Sequence, residues 1–127
     1  MKRLLVDTDI FSFVFKGDTR AQPFQELLDS AEICLSFMSV AELYRWGLVR
    51  KWGDSRIQEL KRQIAACSIL GYDDASAWHW AQITSVPGKQ MGVADAWIAS
   101  SVLRHGIPLL TNNRKHYEHV DGLLLVP

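Results

Sequence analysis

Asp7, Glu42 and Asn113 stand where strands hand over to helices and Asp95 near the start of a late helix, and no histidine or cysteine is among the four. Asp7 follows the apolar run Leu4-Leu5-Val6, Glu42 lies just after the run Ile33 to Phe37, Asp95 falls in the first turn of a late helix, and Asn113 follows Ile107 to Leu110. Taken singly, such residues cap helices: a short polar side chain accepts from free backbone N–H groups and complements the macrodipole. Asp9 and Asn112 read the same way, and Ser39-x-x-Glu42 spells a capping box. Taken together, three carboxylates and an amide at one end of a sheet would repel and raise one another's pKa unless a cation compensated them. Oxygen donors alone favour Mg²⁺ or Mn²⁺ over zinc, with one or two carboxylates, waters and a substrate phosphate completing the ligand set. Such a site hydrolyses phosphodiesters, the metal activating water and neutralising charge on the leaving oxygen.

The elements that must position these residues follow from periodicity. Leu4 to Val6 reads as a strand and Ile10 to Phe15 as a buried helix that Lys16-Gly17-Asp18 breaks, after which Phe24, Leu27, Leu28 and Ala31 mark one face of a second helix. A strand over Ile33 to Phe37 precedes a helix from Ser39 to about Trp52. Gly53-Asp54-Ser55 then turns the chain into a helix carrying Ile57, Leu60, Ile64 and Cys67, so the two form a hairpin. Ser68 to Gly71 is a short strand, Asp73 or Asp74 caps a helix from Ala75 to Ile83, and Met91 to His105 is a helix closed by Gly106. Ile107 to Leu110 and Leu123 to Val126 read as strands, with a short helix after Asn113. Alternating strands and helices imply an α/β fold, a three-layer α/β/α sandwich around a small parallel sheet. In such sheets ligands bind beyond the carboxyl ends of the strands, where the four polar residues fall.

The 127 residues are expected to form a single domain spanning 1–127, and the 48% apolar and 22% charged composition is globular. Fourteen basic residues balance fourteen acidic ones, which excludes a histone-like or tail-driven polyanion binder. Cys34 and Cys67 lack metal-ligand spacing and read as small buried hydrophobes of a reducing compartment. Three apolar residues before Asp7 are too few for a secretory leader, and no run approaches the roughly 20 needed to cross a bilayer, so a cytoplasmic protein with no membrane partner is expected.

Four segments carry a resemblance. Leu4-Leu5-Val6-Asp7-Thr8-Asp9-Ile10, Ser39-Val40-Ala41-Glu42-Leu43, Ala94-Asp95-Ala96-Trp97-Ile98-Ala99 and Leu109-Leu110-Thr111-Asn112-Asn113-Arg114-Lys115-His116-Tyr117 resemble, in order, the acidic motifs of PIN-domain ribonucleases. The length and the Thr-Asn-Asn segment are similar to the VapC toxins of toxin–antitoxin pairs. The resemblance implies a Mg²⁺-dependent (or Mn²⁺-dependent) endoribonuclease with Asp7, Glu42 and Asp95 as its catalytic acids. Asp7 and Asp95 would ligate the metal, and Glu42 would orient or deprotonate the attacking water. Thr8 and Thr111 match supporting hydroxyl positions, while Asn113 stands where many relatives carry a fourth acid. His116-Tyr117 replaces an acid-Phe pair. The resemblance also implies a cognate antitoxin that wraps the protein and inserts a basic side chain into the acidic site.

Arg114, Lys115 and His116 adjoin Asn113 and are candidate contacts to the RNA backbone. From Arg45 to Arg62 six basic residues face only Asp54 and Glu59, a local excess of four positive charges, with Trp46 or Trp52 available for base stacking. Against this, the arginines would be solvated helix faces and the tryptophans core or interface. Five tryptophans also suit a homodimer or a partner groove, for which the early helices and the Arg45 to Arg62 hairpin are candidates. Two other readings exist. Asp7-Thr8-Asp9 resembles the start of haloacid-dehalogenase-type phosphatases, but the Gly-Thr they need soon after is missing. A catalytically weak RNA- or protein-binding module of the same fold draws on Asn113.

Overall fold

Lys2 and Arg3 are exposed, whereas Leu4, Leu5 and Val6 are buried on both sides of the sheet, so the first strand, β1 (Lys2–Val6), must lie in its middle. The computed structural model, which describes residues 2–88 and 90–127, shows this. β1 is flanked by β2 (Ala31–Ser36) and β4 (Leu109–Leu110), and β3 (Ser68–Leu70) forms the outer edge beyond β2. All three pairings are parallel. Alternate residues of β1 face opposite layers. Leu4 and Val6 join Ile10 and Phe13 of α1 (Thr8–Lys16), Val40 and Leu43 of α3 (Phe37–Val49), and Leu60 and Ile64 of α4 (Asp54–Ala65). Leu5 instead packs with Ile98 and Val102 of α6 (Val93–His105) and with Tyr117, alongside partly buried Ile83 of α5 (Asp74–Thr84). The architecture is the expected α/β/α sandwich.

Connections run outward from β1 to β2 to β3, then return past β1 to β4. The direction reverses between β1 and β4, which opens a crevice beyond their carboxyl ends. Asp7 and Thr111 are the residues that leave these two strands, and Asp7 N–H donates to Leu110 O at 2.9 Å across the crevice floor.

Several local expectations hold. Gly106 closes α6 in the left-handed region at φ 64°, and Asp73 caps α5 through a capping box with Ser76. Both cysteines are free, Cys34 buried and Cys67 half-buried. Others are corrected. The run after α1 is a three-ten segment, Thr19–Phe24, followed by the short α2 (Gln25–Asp29), because Pro23 removes a backbone donor. The second strand runs Ala31–Ser36, and Phe37 already belongs to α3. The N-cap of that helix is therefore Ser36, whose Oγ accepts from Ser39 N–H at 3.1 Å. Ser39-x-x-Glu42 is not a capping box. Leu123 to Val126 makes a single bridge, Leu125 to Leu109, rather than a strand, and the strand expected from Ile107 is confined to two residues. Among the described residues no helix is long and apolar enough to cross a membrane.

Candidate active site

The first turn of α1 brings two carboxylates to the crevice. Asp7 is buried and caps the helix, one oxygen accepting from Thr8 N–H at 2.8 Å and the other from the Thr111 hydroxyl at 2.6 Å. Thr111 Oγ1 in turn accepts from Asn113 N–H at 3.0 Å. Asp9 turns one oxygen to Ile10 N–H and the other to the loop after β4, where it accepts from Asn112 N–H at 3.2 Å and from Asn113 Nδ2 at 3.1 Å. Asn113 thus acts as a donor that holds a carboxylate, something a fourth acid in its place could not do.

Glu42 is freed from capping by the register of α3 and is held from the opposite side. The Thr8 hydroxyl donates to Glu42 Oε1 at 2.7 Å and lies 2.9 Å from Ser39 Oγ. Asp95, in the first turn of α6, accepts from the Tyr117 hydroxyl at 3.0 Å and faces His116 Nδ1 at 3.0 Å. The structure therefore brings Asp7, Glu42, Asp95, Thr8 and Thr111 together, with Asn113 joined through Asp9.

Burial and mutual repulsion act on these acids in the same direction. Desolvation raises the pKa of Asp7 most, with the charge of Asp95 adding to it against the hydrogen bonds from Thr111 and Thr8. Asp9 is pushed up to about 6 by burial and by Asp7. Burial likewise lifts Glu42, aided by Asp7 and Asp95 and opposed by the Thr8 hydrogen bond. The Tyr117 hydroxyl, buried between Asp7 and Asp95, is held firmly protonated. Among the described residues no lysine or arginine pairs with any of the four acids, and only His116 faces one. Such uncompensated charge suits a divalent cation. Among the described residues no three acidic, histidine or cysteine groups stand close enough to cage a metal ion by themselves.

The candidate cations divide. Lys115 and His116 line the groove beside Asp95, whereas the Arg114 guanidinium is bound to the backbone carbonyl of Val126. On the other flank Lys16 and Arg45 line a groove with Asp9 and Glu42. Trp46 and Trp52 are spent on structure: their rings pack edge to face at 4.6 Å beside Phe15, and Arg56 lies 4.3 Å over Trp52. Two site residues escape a reading by motif. Asp9 looks like a cap, and Tyr117 looks like an ordinary aromatic of a short helix; only their partners, far away in sequence, reveal them.

A family model for the PIN domain matches residues 4–123. The chain is 25% identical over 126 residues to the tRNA(fMet)-specific endonuclease VapC of Shigella flexneri, covering 97% of this chain and 96% of that protein. It is 28% identical over 130 residues to ribonuclease VapC2 of Haemophilus influenzae, with the same coverage. Among solved structures it is similar to VapBC-1 from nontypeable Haemophilus influenzae, with a TM-score of 0.84 at 21% identity over 98% of this chain and 96% of that one. DNA-bound VapBC from Salmonella typhimurium superposes with a TM-score of 0.81 at 22% identity, covering 99% and 98%.

Proposed function

The chain belongs to the PIN-domain family, and from that premise we propose that it is a Mg²⁺-dependent endoribonuclease, the toxin of a toxin–antitoxin pair. The observation that carries the reading is the gathering of Asp7, Asp9, Glu42 and Asp95 in the crevice without a lysine or arginine to neutralise them among the described residues. Asp7 and Asp95 hold the cation; Mn²⁺ would satisfy the same oxygen donors. Bound there, the ion supplies Lewis-acid stabilisation of charge on the phosphate oxygens. Glu42 orients the attacking water and takes its proton, a role its position across the crevice and its hydrogen bond from Thr8 support. Thr8 keeps Glu42 aimed, Thr111 keeps Asp7 aimed, and Tyr117 does the same for Asp95. Asp9 restores the negative charge that an amide at 113 omits, which weighs against a catalytically weak binding module. Lys115 and His116 meet the backbone phosphates.

RNA is the substrate class, and the names of two relatives, including the Shigella enzyme, make tRNA the first RNA to try. The partner is a cognate antitoxin, consistent with the similarity to VapBC complexes. The groove edged by Lys16, Arg45, Trp46 and Val49, the last 64% exposed, is our candidate for its seat, and a homodimer is the expected assembly. The decisive experiment incubates purified protein with RNA and Mg²⁺ and compares it with Asp7→Asn. Cleavage that disappears in the variant is expected. Equal cleavage by both proteins would overturn the assignment.

A further inference from the structure

A cavity of about 380 Å³ lies between α5 and the segment after Tyr117, outside the carboxylate cluster. Ile83, Leu103 and Val120 give it apolar walls, and Ile83 and Val120 are packed on the second core cluster, so its shape is fixed by the fold. His79, Gln82, His119 and Asp121 set polar groups around it. His119 also lines the groove that holds Lys115, His116 and Asp95, so the cavity adjoins the Asp95 side of the acidic site. We propose that this cavity is a nucleobase subsite, taking the base of a nucleotide that flanks the scissile phosphate and is splayed out of its strand.

The chemistry fits in three respects. The volume lies at the small end of the range for ligand sites, roughly 300–1,000 Å³. Unstacked RNA bases are bound by flat rings and by hydrogen bonds to their edges. Here the lining includes two flat imidazoles, His79 and His119, the Gln82 amide, which can both donate and accept, and the Asp121 carboxylate, which can accept from a base amino or imino group. Lys115, in the adjoining groove beside Asp95, supplies a cation for the backbone that leads to such a base.

The subsite rests on the ribonuclease reading, and two measurements separate the two ideas. Gln82 is exposed on α5, so Gln82→Trp fills the cavity without disturbing the core. In EDTA, where metal-assisted cleavage is silent, ten-nucleotide RNAs differing at one base are titrated into ¹⁵N-labelled protein. Saturating shifts of the Gln82 side-chain amide and the Val120 backbone amide, with affinities that depend on the varied base, are expected in the parent protein, and the Val120 shifts should be lost in Gln82→Trp. In Mg²⁺, sequencing the cut ends of a random RNA pool should show a base preference at one position beside the cut. The variant should lose that preference, with kcat/KM on preferred RNAs down about tenfold. Base-dependent shifts without cleavage would uphold the subsite and overturn the nuclease. Cleavage with no such shifts, or with the same preference in Gln82→Trp, would overturn the subsite. So would a variant that cuts normally but no longer binds a partner protein.

Discussion

Asp9 and Asn113 show how much one hydrogen bond changes the reading of a site. At their positions an acid and an amide face each other at 3.1 Å. Asp9→Asn keeps an acceptor for Asn113 but removes a charge, so RNA cleavage should fall about tenfold, equivalent to about 1.4 kcal/mol of barrier. Asn113→Asp should set two carboxylates together and lower the Tm of the metal-free protein, and the doubly exchanged variant should recover both Tm and cleavage. Unchanged cleavage by Asp9→Asn would remove Asp9 from the machinery. The sign of the pH dependence follows from the same crowding. A carboxyl whose native pKa lies above its unfolded value binds more protons when folded, so stability falls as pH rises between the two values. For Asp9 that window runs from 3.8 to about 6, with Asp7 and Glu42 acting in the same sense. Asp18, drawn down to about 2 by the Arg20 guanidinium, works oppositely and loses its contribution only in stronger acid. Metal-free protein should therefore gain Tm as pH is lowered from 7.5 to about 5, and saturating Mg²⁺ should flatten that slope. Thermal melts at stepped pH measure it. Asp7, Glu42 and Asp95 were legible by type and position. Asp9 and Tyr117 were not, because a capping aspartate and a site aspartate carry the same local pattern, and only burial against residues some 20 to 100 positions away tells them apart.

Among the elements, α3 teaches the most. Its N-cap lies three residues before the Ser39 that the capping-box spacing of Ser39 and Glu42 suggests: the buried Ser36, at the end of a strand, is the residue that caps. Ser36→Ala should cost about 1 kcal/mol, the usual loss for an N-cap hydroxyl. It should also reduce cleavage, since the first turn of α3 carries Ser39 and Glu42. A urea titration that places Ser36→Ala level with the parent protein would refute this register. The strands were legible where the apolar run is buried on both faces, as in β1. They were not legible at the sheet margin, where β4 is two residues long and exists because β1 offers it partners.

At the scale of the whole molecule, equal numbers of acids and bases conceal an uneven distribution. Four acids crowd one crevice, Lys115 and His116 line one flank, and Lys16 and Arg45 the other. If Mg²⁺ binds the folded arrangement alone, as the proposed function requires, a concentration a hundred times its Kd should stabilise the protein by about 2.7 kcal/mol. A metal titration followed by thermal denaturation should show a saturable rise in Tm, absent in Asp95→Asn and reversed by EDTA. The layered architecture was legible from the alternation of strands and helices, but the crossing that creates the crevice was not, since strand order depends on which edge the last strand joins. That crossing has a bearing on synthesis. Asp7 meets Thr111, and Asp9 meets Asn113, across more than a hundred residues. A chain still short of Leu109 has Asp7 and Asp9 but lacks β4 and the residues after it, which give the crevice its second wall. The ordering of the crevice acids should therefore come late in synthesis, and a chain truncated before β4 should not cleave RNA.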